Sequence, residues 1–95
     1  MKEKTKLPLI SADPPAKAFW TVDGRIFHNL PEMRRALDEM SGETYVYHAN
    51  REKNDFAAWV REVARDEKLA AELMKAKTRS AAFRAVADRL KDYAL

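Results

Sequence analysis

Gly24 and Gly42 are the only glycines in this 95-residue chain, and four prolines accompany them. So few turn formers cannot supply the repeated tight reversals of an all-β sandwich or barrel. Helix is therefore the default, and strand is expected where a glycine provides the turn. That place is Val22-Asp23-Gly24-Arg25, flanked by Ala18-Phe19-Trp20-Thr21-Val22 and Arg25-Ile26-Phe27-His28. Both flanks are aromatic and β-branched, and Asp-Gly accepts the positive φ of a two-residue hairpin turn. Residues 17–29 are thus expected to form a hairpin. Two strands alone are marginal in water, so helices must cover one face.

Helical spacing takes over from residue 30. Pro31 and Glu32 suit a first helical turn, and Met33, Ala36, Leu37 and Met40 repeat at i, i+3, i+4, i+7. Ser41-Gly42 ends this helix, and Ser41 is placed to cap the next. Residues 44–49 (Thr-Tyr-Val-Tyr-His-Ala) have strand propensity, yet Tyr45, His48 and Ala49 share one face at helical spacing. Helix and strand both stand at this level, with the spacing favouring a short helix. Asn54 is the expected cap of a helix carrying Phe56, Ala57, Trp59, Val60 and Val63. Asp66 begins another, with Leu69, Ala70, Leu73 and Met74 apolar. Thr78 begins the last, with Phe83, Val86, Ala87, Leu90 and Ala94 along one side.

The expected class is α+β, mostly α: an N-terminal β-hairpin packed on four or five short helices. Residues 18–95 form the single small domain, and residues 1–17 an extended, proline-containing tail in which Leu7, Leu9 and Ile10 offer apolar contacts. A chain of this length holds one domain. It has no cysteine, which excludes disulfides, thiolate metal sites and cysteine nucleophiles. No apolar run approaches a bilayer span and no secretory signal pattern is present, so the expectation is a cytoplasmic protein without membrane contact.

Net charge is +3 and is unevenly spread: +2 over residues 1–17, −3 over 18–74 and +4 over 75–95. The densest group of distinctive residues falls in the acidic middle. It is Tyr45-x-Tyr47-His48-x-Asn50, followed by Lys53-Asn54-Asp55-Phe56-x-x-Trp59-Val60. With the Asp-Gly hairpin, the Leu-Pro-Glu helix start and a later Asp-Glu-x-Leu-Ala, this pattern resembles a small domain family of unknown function. That family occurs in archaea and bacteria, alone or appended to larger proteins. The resemblance covers about residues 18–73, and its most specific part is Tyr47-His48 with Asn54-Asp55-Phe56 and Trp59. It implies domain boundaries and a choice of residues, and it implies no reaction.

Read by chemistry, an enzyme here would rely on His48, Asn50 and Asp55, since a histidine held by an aspartate is a general base. No hydroxyl lies in an elbow or Gly-rich loop, and no phosphate-binding fingerprint is present. A His48–Asp55 pair is therefore expected to be a structural hydrogen bond closing the interhelix loop. No catalytic residue, no metal site and no cofactor is expected. A nucleic-acid interface would use Lys75, Lys77, Arg79, Arg84 and Lys91, although Asp88 lies between Arg84 and Lys91 on one side. The favoured function is a non-enzymatic protein-interaction or adaptor module with a protein partner, nucleic-acid association being the alternative. Its candidate surface is Trp20, Tyr47, His48, Asn50, Asn54 and Asp55, because aromatic side chains anchor interfaces and the adjacent Phe19 and Trp20 point to opposite faces of the hairpin, which leaves room for one outside the core.

Overall fold

The computed structural model describes residues 6–94. Its elements begin with β1 (Leu7–Pro8), a 3-10 turn (Pro15–Lys17), β2 (Phe19–Trp20) and β3 (Ile26–Phe27). Helices α1 (Leu30–Glu39), α2 (Gly42–His48) and α3 (Asp55–Trp59) follow, and α3 runs on into a π-helical turn (Val60–Ala64). Then come α4 (Glu67–Lys75), α5 (Arg79–Leu90) and β4 (Tyr93–Ala94). The fold is α+β and mostly helical, with five α-helices among the described residues.

Strand alternation decides how the hairpin sits. Phe19 pairs with Phe27 and Trp20 with Ile26 in antiparallel register. The Phe19 and Phe27 rings stack at 4.8 Å on the inner face, and Trp20 and Ile26 stand outside. The hairpin is wider than the two-residue turn expected. Gly24 N–H donates to Thr21 O, and Thr21 N–H donates to Arg25 O, which leaves Val22, Asp23 and Gly24 as a three-residue loop. Gly24 takes φ +92°, the left-handed position such a loop places last. The glycine signal located the turn, and the Thr21 hydroxyl, which accepts from Arg25 N–H at 2.8 Å, set its length.

Each helix starts where a side chain can satisfy an orphan amide. Asn29, Ser41, Asn54, Asp66 and Thr78 all accept a hydrogen bond from the N–H three residues on. Residues 42–48 are helical, which buries Tyr45, His48 and Ala49 together as their spacing required. Pro31 takes the second helical position, with Asn29 as the cap.

The inner face of the hairpin joins an aromatic cluster. Phe56 stacks on Phe19 at 5.1 Å and on Tyr45 at 5.6 Å, and Trp59 meets Phe27 edge-on at 5.0 Å. The Trp59 indole N–H donates to Lys17 O at 2.8 Å, fixing the approach to β2. A second part of the core is aliphatic: Leu30, Met33 and Leu37 of α1 with Leu69, Leu73, Val86 and Leu90. Helix α1 packs on α5, and α4 packs on both α3 and α5.

The two ends of the chain depart from the sequence expectation in detail. Ala94 lies in β4 and is exposed, because α5 stops at Leu90. Strand β1 pairs in parallel with β4, Leu7 opposite Tyr93 and Pro8 opposite Ala94. Leu7 N–H donates to Asp92 O at 2.8 Å, and Leu7 and Leu9 pack against the core. The segment expected as a tail is thus partly built into the domain, and its last prolyl stretch forms a 3-10 turn. Residues 1–5 of that segment, and Leu95, lie outside the described residues. No helix among the described residues is long and apolar enough to cross a membrane.

Candidate functional site

The helix spacing that buries Tyr45 also turns His48 inward, where its ring packs edge-on against Phe19 at 5.2 Å. His48 Nε2 accepts from Val22 N–H at 2.9 Å, and Nδ1 lies 3.0 Å from Asp55 Oδ2. An amide always gives its hydrogen, so Nε2 is the acceptor and Nδ1 carries the proton donated to Asp55. Both nitrogens are occupied and the residue is 5% exposed. A base needs a free lone pair facing a substrate, and this ring instead ties the hairpin loop to α2 and α3.

Asp55 sits in the first turn of α3, where the helix dipole favours a carboxylate. Its Oδ2 also accepts from Lys53 Nζ at 3.0 Å. Burial pushes its pKa up, but the hydrogen bonds from His48 and Lys53 outweigh that and hold it below the usual carboxylate range. Lys53 in turn lies 5.0 Å from the centroid of the exposed Tyr47 ring, a cation–π contact at the surface. The two asparagines shape the connection between α2 and α3. Asn50 Nδ2 donates to Val46 O at 2.9 Å, and its Oδ1 accepts from Glu52 N–H. Asn54 caps α3 while its Nδ2 donates to Leu73 O at 3.1 Å, so one side chain starts α3 and closes the end of α4.

Structure therefore brings Tyr47, His48, Asn50, Asn54 and Asp55 together, with Val22 of the hairpin loop beside His48. Trp20 stands on the outer face of the hairpin, 67% exposed.

Two of the candidate basic residues of the C-terminal segment, Arg79 and Lys91, have partners within the fold. Arg79 donates to Leu37 O at 2.7 Å and Asp38 O at 3.2 Å, covering carbonyls at the end of α1. Lys91 lies 3.7 Å from Asp88. Lys75, Lys77 and Arg84 are exposed. Met74, expected on the apolar side of α4, is exposed as well.

Sequence reasoning missed a buried network. Asp66, besides capping α4, accepts from Arg89 Nε at 2.8 Å, Arg89 Nη2 at 3.2 Å and the Tyr93 hydroxyl at 2.6 Å. Arg89 also donates to Asp92 at 3.0 Å. Burial pushes the Asp66 carboxyl up, but these donors more than compensate and its pKa is lowered; burial and the neighbouring Asp66 carboxylate raise that of Tyr93. The helix-cap signal at Asp66 was visible, whereas its partners 23 and 27 residues away carry no local signature. Among the described residues no three His, Asp or Glu side chains gather as a metal-ligand set. Compared with protein families, with curated proteins and with solved structures, the chain matches none.

Proposed function

We propose that this chain is a non-enzymatic protein-interaction module whose contact surface includes the outer face of the hairpin and the adjoining Tyr47–Asp55 connection. The observation that carries this reading is Trp20, 67% exposed at a strand position fixed by Phe19 on the other face. Phe19, Phe27, Phe56 and Trp59 already fill the core on that side, so packing asks nothing of a tryptophan at position 20. Its cross-strand partner Ile26 is exposed too, as is Val22 two residues on. Single exposed apolar side chains are ordinary, but a clustered set led by tryptophan has the composition of an interface anchor. Strand pairing already fixes the backbone that carries it, which lowers the ordering cost at binding.

The test is capture from a native extract, with and without nuclease, by the parent chain and by Trp20→Ser. A protein retained equally in both conditions and lost with Trp20→Ser supports the reading, provided the variant melts at the parent temperature. Retention that vanishes with nuclease overturns it in favour of nucleic-acid association through Lys75, Lys77, Arg84 and Lys91.

A further inference from the structure

A groove of about 510 Å³ lies between the end of α2, the α2–α3 connection and the end of α4. None of its lining residues belongs to the hairpin. Val46 and Met74, 56% and 58% exposed, supply apolar lining from two different helices. Arg51, Lys53 and Lys77 stand on the rim with one acid, Glu52. Lys53 is engaged by Asp55, whereas Arg51 and Lys77 make no ion pair among the described residues.

Two further details favour an anionic occupant. Helix C-termini ordinarily attract cations through their free carbonyls. Here Asn50 covers Val46 O and Asn54 covers Leu73 O, so side-chain amides occupy carbonyls of the last turns of α2 and α4. The charged side chains lining the groove are basic apart from Glu52. The apolar lining offers aliphatic and thioether surface and no flat ring, which suits an apolar side chain better than a stacked base.

We infer that the groove between α2 and α4 receives an acidic peptide segment of a partner protein, one apolar side chain seated on Val46 and Met74 and flanking carboxylates facing Arg51 and Lys77. This rests on the chain being an interaction module and deepens that reading, since the groove is lined largely by the Tyr47–Asp55 connection, while Trp20 is not among its lining residues.

The probe is a set of short peptides with aspartate and glutamate around one central leucine, methionine or phenylalanine. Controls carry serine in place of the apolar residue, or lysines in place of the acids, and an oligo-thymidylate provides phosphates without a peptide. Titrated into ¹⁵N-labelled protein, the acidic peptides are expected to move the amide signals of residues 46–53 and 74–77. Met74→Glu, and separately Arg51→Glu with Lys77→Glu, are expected to weaken binding more than tenfold. Both groove variants change exposed side chains. If either folds poorly, the contrast between acidic and lysine-flanked peptides on the parent chain decides.

The proposal is overturned if no acidic peptide moves those signals at millimolar concentration. It is equally overturned if the serine control binds as well, or if the oligonucleotide binds the groove and the peptides do not. Loss of extract capture by Trp20→Ser alongside absent peptide binding removes the groove and keeps the module; groove binding with no Trp20 effect on capture keeps the groove and removes the hairpin face from the contact surface.

Discussion

His48 carries more structural obligation than any other polar residue of the α2–α3 region. Its two nitrogens join the backbone of the hairpin loop to the first turn of α3, and its ring fills space beside Phe19 and Phe56. Truncation removes packing and leaves the Val22 amide and the Asp55 carboxylate each short of a partner. His48→Ala is expected to cost about 2–3 kcal/mol, a fall in melting temperature on the order of 10–20 °C for a domain of this size. Thermal and urea unfolding read this directly. An unchanged midpoint would mean that the hairpin loop is held by other contacts. The pair was legible in the sequence because His48 and Asp55 are seven residues apart around one loop. Its third member, the Val22 amide, was not, since a backbone donor 26 residues away has no sequence signature.

At the scale of elements, caps were the most readable feature. Ser41, Asn54, Asp66 and Thr78 act on amides three residues ahead, so the information is local and composition carries it. The hairpin was readable in place but not in loop length, because the Thr21 hydroxyl accepts from Arg25 N–H beside the backbone closure, a contact the Asp-Gly pair does not announce. What lay hidden were links between elements. Arg79 on the end of α1 and Arg89 on the start of α4 look like free positive charge in sequence and are structural in space. The Asp66 network yields a pH prediction. A carboxyl whose pKa is lowered in the folded state contributes stability that is complete above its ordinary value of 3.8 and is lost as pH falls through the lower folded value. Asp66→Asn should therefore reduce stability at neutral pH by about 2–4 kcal/mol, because Arg89 loses a buried partner. It should also flatten the acid limb below about pH 4. Urea midpoints measured across that range test both parts, and parallel acid limbs for parent and variant would contradict the assignment.

Across the whole molecule, the pairing of β1 with β4 closes the chain on itself. Leu7 and Leu9 contribute partly buried apolar surface there, and Lys6 Nζ donates to Lys91 O at 2.6 Å. Deleting residues 1–10 is expected to lower stability by about 2–3 kcal/mol from the lost leucine burial and to speed amide exchange at Ala94, which lies opposite Pro8 in the parallel ladder. Equal stability of the shortened chain would show that the closure contributes nothing. Sequence could not reveal this contact, since two-residue strands at opposite ends of the chain leave no periodicity to detect.

The same closure fixes how the domain bears load. Because β1 and β4 run parallel, tension drawn from residue 6 on one side and residue 94 on the other pulls the two strands along their length in opposite directions. Their hydrogen bonds then yield together instead of parting one after another. A domain joined to larger neighbours through these two ends would transmit force across this short clasp before any helix is disturbed.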